Sequence, residues 1–446
     1  MTSNASAAAS SVSHFEASYA AAAVQRASEP AWLRGVRARA ASAFSRLGFP
    51  TTRDEDWRFT NIVPIAEGRF VPAEGGEAAA AEDCDRYLLP GLQGPVIVLV
   101  DGRFAPALSR LDGMPAGVEA GTLLEGDRAH RLQRHLTAHA PFDQRSFTSL
   151  NTALFPDAAI VEIAPGTIVE EPIQLLFLSS GREGTASFPR ALVLAGEASQ
   201  VRLVESYGSV GDGRAFTNAV TELVAGPGAV VELYRLQRES ARAYNIGLTQ
   251  IQVGRSANVS SHNAALGGLI ARHDAVVVLA DEGAESALNG VYLADGQALV
   301  DNHTEVDHAM PHGTSHELYK GILGGRARAV FNGRIRVRPD AQKTDAKQTN
   351  KTLLLSNEAQ INTKPQLEIF ANDVKCTHGA TVGQISSDAL FYLRARGIGL
   401  AEARRMLVRA FAGEVIGRMK LEPVRDLLDR LIAERLPDGA EEESLA

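Results

Sequence analysis

Cys376 and His378 sit two residues apart in Lys375-Cys376-Thr377-His378-Gly379, and this pairing of a thiol with an imidazole is where the sequence could do chemistry. On a β-strand side chains alternate with period two, so residues 376 and 378 face one way, and Lys375 and Thr377 the other. A thiol beside an imidazole suits soft-metal or sulfur chemistry, and equally nucleophilic catalysis. The plain alternative is a buried cysteine next to a hydrogen-bonded histidine. A second concentration lies upstream, where Asp301-Asn302-His303-Thr304-Glu305-Val306-Asp307-His308, followed by His312 and His316, holds four of the chain's 11 histidines. A zinc-binding structural site is one reading. Pro311 and Gly313 break any helix that would gather His308, His312 and His316 on one face, so convergence depends on the fold. Asp301, Glu305 and Asp307 are the candidate carboxylates for a polysaccharide lyase or hydrolase, where paired carboxylates stand about 5 to 10 Å apart.

Other chemistries find no support. Gly321-Ile-Leu-Gly324-Gly325 lacks the Lys and Ser/Thr of a phosphate loop, and no Gly-x-Ser-x-Gly elbow occurs, so ATP hydrolysis by this chain is not expected. Cys84 and Cys376 are the only cysteines, too few for a disulfide framework and consistent with a reducing, cytoplasmic compartment. Two thiols cannot hold an iron–sulfur centre alone, because such centres take four ligands, mostly Cys. Cys84 reads as a buried or incidental thiol. The formal charge of −8 disfavours general nucleic-acid binding, which needs a concentrated basic face. Apolar residues at 45% and charged residues at 22% are ordinary for a globular chain, and no apolar run approaches the roughly 18 residues of a membrane span. The first 29 residues are rich in Ala and Ser without a basic opening, so they read as a flexible start leading into a helix and not as a secretory leader.

Three kinds of element must position these residues. In residues 30–47, Leu33, Val36, Ala40, Phe44 and Leu47 recur at helical steps and stop at Gly48 and Pro50. The charged run Arg53-Asp-Glu-Asp-Trp57-Arg-Phe-Thr60 follows as a loop anchored by Trp57, then a Gly/Ala/Glu-rich stretch, a strand near residues 95–104 and helical residues near 128–140. From about Asn151 the grammar changes to short β-branched runs broken by Gly, Asn and Asp. A phrase recurs at Gly196, Gly226, Gly254, Gly283 and Gly325, with a variant at Ser356, mostly about 30 residues apart with one longer step before Gly325. Units of that period must stack to bury their apolar faces, which predicts a solenoid, best a β-helix, with a β-sandwich as the competing arrangement. After Cys376 helical spacing returns. Ser386 or Ser387 caps a helix ending at Gly397, a second runs from about Leu400 to Met419, and Pro423 suits the first turn of a third. The expected organisation is a mixed helical region over residues 1–147, a β-helix core over 148–383 and a helical domain over 384–446. The acidic end from Glu441 is expected to fray.

Lys375-Cys-Thr-His-Gly-Ala-Thr-Val-Gly383 with Asp388-Ala-Leu-Phe-Tyr-Leu-Arg-Ala-Arg-Gly-Ile398 resembles the C-terminal signature of the SufB/SufD family, the scaffold subunits of the SUF iron–sulfur cluster assembly system. Asp301-Asn-His-Thr304, Asp307-His308, Pro311-His312, Leu318-Tyr-Lys-Gly-Ile322 and the run from Arg53 to Thr60 are similar to the same family. Gly379-Ala-Thr381, where SufB proteins typically have Glu-Ala-Thr, points to the SufD branch, as does the lack of a cysteine-rich motif near the N-terminus. The resemblance implies a right-handed parallel β-helix flanked by helical regions. It also implies a non-catalytic scaffold that pairs with a SufB-like subunit and binds a SufC-like ATPase through its C-terminal helices. A transient iron–sulfur cluster would be shared at the SufB–SufD interface, with Cys376 and His378 as this chain's contribution. The resemblance leaves open a homodimer in isolation and a flavin in the assembled complex.

Overall fold

The recurring phrase forms corners. Ala198, Gly228, Ser256, Gly283, His312 and Lys343 all take left-handed backbone conformations, with φ between 51° and 69°. Each donates its N–H to a carbonyl one coil further on, as from Gly228 to Arg255 at 2.8 Å and from His312 to Gln342 at 2.9 Å. A left-handed residue turns the chain sharply, and glycine takes that conformation without a Cβ penalty, as at Gly228 and Gly283. Gly196, Gly226 and Gly254 answer a different need, since a Cβ there would stand 2.7, 3.0 and 2.9 Å from a carbonyl oxygen of the preceding coil. The computed structural model describes residues 2–74 and 79–435, with side chains from residue 12 onward; the acidic end from Glu441 lies outside them.

Between corners the chain runs in strands of mostly eight to ten residues that alternate between two parallel sheets. Register partners such as Glu285, Thr314 and Asp345 follow one another up one sheet, and Leu299, Arg328 and Gln360 up the other. Each coil therefore gives one strand to each sheet, and the core is a parallel β-helix. Its lumen is lined by inward positions from both sheets, including Val231, Val259, Ile251, Val277, Leu288, Val306 and Phe331, all buried. The longer step before Gly325 has a simple cause. Gly196, Gly226, Gly254 and Gly283 lead into strands of the ten-stranded sheet, whereas Gly325 and Ser356 lead into strands of the eleven-stranded one. The phrase changes corner, and the corner it vacates is filled by Pro311-His312-Gly313.

Helices cover the two outer faces. Thr2–Gln25, Ala31–Leu47 and Ser146–Leu154 lie over the eleven-stranded sheet, where Phe15, Leu33, Phe44, Phe147 and Leu150 meet Phe216, Tyr244 and Ile270. The helix Thr2–Gln25 replaces the flexible start expected from sequence. Alanine has the highest intrinsic helix propensity, and Phe15 supplies the buried anchor that such a segment needs. The helix Ser146–Leu154 likewise spans the point where strand grammar was expected to begin; its residues from Phe147 to Leu154 are all buried, the polar Thr148, Ser149, Asn151 and Thr152 included. On the other side Leu400–Ile416 and Glu422–Arg435 pack Val408, Ala412, Val415, Val424 and Leu428 against Tyr234, Leu236, Val291, Leu318 and Ile322. Ser386 caps Ser387–Arg394, accepting from the Ala389 N–H at 3.3 Å, as its position before that helix predicts.

Candidate functional site at the open end of the β-helix

Cys376 and His378 lie on the strand Lys375–Gln384, the edge of the ten-stranded sheet. The strand Gln360–Ile369 is the matching edge of the other sheet. No described element pairs beyond either, so the last coil presents a row of unpaired backbone donors and acceptors. The helices cover the sides of the β-helix and leave this end open. Ile369, Phe370 and Val382 are 39%, 58% and 44% exposed there, which adds apolar area to a free strand edge.

The register places Cys376 on Ala346 and His378 on Gln348 of the preceding coil. Cys376 packs inward with Ile335, Val337, Ala346 and Leu367, and is half-buried. His378 shares its side of the strand by period two, and is exposed. Burial, reinforced by Asp345, pushes the Cys376 thiol up, so it is a thiol and not a thiolate at neutral pH. Cys84 is buried far along the chain, and burial with Asp83 and Asp85 pushes it up to about 11, which fits an inert core thiol.

Beneath His378 one lumen column turns from mainly apolar to polar. The column that carries Leu203, Leu233, Ser261 and Leu288 in earlier coils continues as Glu317, Gln348 and His378. Gln348 Nε2 donates to Glu317 Oε2 at 3.1 Å, and Thr304 Oγ1 donates to the same oxygen at 2.8 Å. Burial pushes Glu317 up to about 7, against the pull of those two hydrogen bonds. Sequence reading missed both Glu317 and Gln348. The available signal was the polar replacement of Leu at the coil period, visible once the register is known.

The four upstream histidines do not come together. His303 faces outward from the eleven-stranded sheet and pairs with Asp301 at 3.1 Å. His308 points into the lumen, bonded to Ser315 Oγ at 2.8 Å, and burial pushes it down to about 4. His312 turns a corner, and His316 is exposed on the outer face of the other sheet. Among the described residues, no group of three or more His, Cys, Asp or Glu side chains could hold a metal ion.

The three upstream carboxylates are each tied to an arginine. Asp301 meets Arg272 at 3.0 Å, Glu305 meets Arg145 at 3.1 Å, and Asp307 meets Arg338 at 2.7 Å. Arg272 also stacks on Trp57 at 3.7 Å and donates to the Asp56 carbonyl at 2.6 Å, while Thr60 donates to Asp301. The charged run at residues 53–60 and the Asp-Asn-His-Thr motif are thus two halves of one clamp.

Comparison with known proteins gives this arrangement a family. The SufBD core domain of the SUF system for FeS cluster assembly matches residues 177–411, and the SufBD protein N-terminal region matches residues 11–175. The chain belongs to the SufB/SufD family. An iron–sulfur cluster assembly SufBD family protein of Synechocystis is 33% identical over 89% of this chain and 90% of its own length. The iron–sulfur cluster assembly protein SufD of Escherichia coli is 31% identical over 89% and 91%, and that of Bacillus subtilis 24% identical over 92% and 95%. Within this SufB/SufD chain the Leu318-Tyr-Lys-Gly-Ile322 motif is structural. Lys320 holds the helix Leu400–Ile416 through Phe411 and Glu414, and the rings of Tyr319 and Tyr292 lie over Gly290 and Gly321. No described helix is long and apolar enough to cross a membrane.

Proposed function

We propose that the chain is the SufD-type scaffold subunit of a cytoplasmic SUF complex. It pairs through its open end with a SufB-like subunit and carries a SufC-like ATPase on its C-terminal helices. It supports assembly of an iron–sulfur cluster at the seam, and ATP hydrolysis belongs to the partner. The observation that supports this most directly is that the strand bearing Cys376 and His378 is an unpaired edge. A free edge strand pairs readily with another chain, and two side chains supply only part of a cluster's coordination, so the same boundary that needs a partner strand also needs partner ligands.

The helix Ser387–Arg394 leaves Phe391 and Tyr392 75% and 57% exposed, an aromatic ridge beside the open end that suits the ATPase contact. The test is reconstitution of the three-component complex with His378→Ala. The complex should assemble at the wild-type stoichiometry while cluster yield falls. Wild-type yield rejects the role of His378, and failure of the chain to co-purify with a SufB-like subunit rejects the scaffold reading as a whole.

A further inference from the structure

Gln348 is buried in the lumen with its two amide atoms in different circumstances. Nε2 is committed to Glu317 Oε2 at 3.1 Å. Oε1 is buried and has no hydrogen-bond partner, and neither has Oε1 of the neighbouring Glu317. The amide cannot easily turn away, because it is lodged against Gly333 on the opposite sheet. A Cβ at residue 333 would stand 2.2 Å from Nε2 and 2.9 Å from Oε1. A buried acceptor left empty is costly, and the nearest rung in the direction of solvent is His378, its register partner on the same side of the sheet.

From this geometry we infer that Gln348 is a positioning residue for His378: its Oε1 accepts one ring N–H of the imidazole, and Glu317 fixes the amide in that orientation. The inference rests on the role proposed for His378 and adds the residues that set its tautomer. An imidazole has one N–H and one lone pair when neutral, so tying the N–H to an amide oxygen directs the other nitrogen toward iron. Metal-binding histidines commonly donate their second ring N–H to such an acceptor, which fixes ring orientation as well as tautomer. The three successive polar residues Glu317, Gln348 and His378 at the end of a column that earlier holds Leu203, Leu233, Ser261 and Leu288 then have a purpose.

The experiment reads imidazole nitrogen shifts of the full chain labelled with ¹⁵N-histidine, at alkaline pH. His378→Ala identifies the His378 pair by its disappearance. In the wild type the two nitrogens should be widely separated, as for a single tautomer. Gln348→Met, similar in length but without an acceptor, should move them toward the values of free histidine, and Gln348→Glu should restore the separation. Free-histidine shifts in the wild type, or shifts unmoved by Gln348→Met, overturn the assignment. Should the Met variant fail to fold, Gly333→Ala displaces the amide without changing residue 348, and unmoved shifts there overturn it equally. No cluster is involved in this readout, so loss of the scaffold reading in the reconstitution assay leaves the hydrogen bond to be decided here.

Discussion

Lys320 Nζ donates to the main-chain carbonyl of Phe411 at 2.6 Å, across 91 residues of sequence. The same ammonium meets Glu414 at 2.5 Å and lies 4.3 Å from the centre of the Phe411 ring. A nearly buried lysine from the β-helix thereby pins the helix Leu400–Ile416, which follows the helix that bears the exposed Phe391 and Tyr392. Lys320→Met should remove these charged contacts and destabilise the helix docking by about 1.5–3 kcal/mol. Hydrogen exchange is the measurement: amides of Leu400–Ile416 should exchange faster, while those of Leu299–His308 stay protected. Unchanged exchange in the helix would refute the pinning.

The lumen holds a reciprocal pair of ring-over-glycine contacts. A Cβ at Gly290 would lie 2.2 Å from the Tyr319 ring, and one at Gly321 would lie 2.3 Å from Tyr292. Both rings are fully buried and have nowhere to shift. Gly290→Ala should cost about 1–3 kcal/mol in denaturant unfolding through overpacking. Gly379→Ala, where the added methyl meets nothing within 4 Å, should stay within about 0.5 kcal/mol of wild type.

Glu317 makes stability depend on pH in a direction opposite to a salt-bridged carboxylate. Its folded value of about 7 stands above the ordinary 4.5. Between those two values the unfolded chain has released the proton while the folded chain still holds it, so this group's contribution falls as pH rises and levels off above about 7. Glu317→Gln removes that dependence. Relative to wild type, the variant should gain stability progressively from pH 4.5 to about pH 7, by up to about 3 kcal/mol. Urea unfolding at a series of pH values checks it; a constant difference across that range would mean that Glu317 is ionised in the folded protein.

Arg272 is buried between Asp274 at 2.9 Å and Asp301 at 3.0 Å, with Trp57 stacked on it. Burial works against the charge on Asp301, but His303 and Arg272 outweigh it and hold the carboxyl below its ordinary range. Arg272→Met should leave that buried carboxylate with His303 and Thr60 but without the guanidinium, at a cost of about 3–5 kcal/mol. It should also release the segment 53–60, read as faster protease cleavage there. A clamp of this kind predicts that Trp57→Ala gives the same cleavage pattern with a smaller loss of stability.

Local rules were enough to read much of this protein from its sequence. Corner residues recur because each coil needs a tight turn, and turn chemistry is a property of a few adjacent residues, so the solenoid and its period near 30 were legible. Helix stops at Gly48 and Gly397, the Ser386 cap, and the common side of Cys376 and His378 follow from the same short-range rules. What needed the tertiary structure was every relationship set by coil register. The switch of corner at Gly325 shows only when the sheets are assigned, and the four histidines scatter because successive coil positions point inward, outward or into a turn. Gln348 becomes the neighbour of His378 through a pairing 30 residues long, and Trp57 meets Arg272 across 215 residues. Spacing along the chain encodes which way a side chain points, but which side chains meet depends on how many residues each coil takes to return, and insertions at the corners change that number without altering any local pattern.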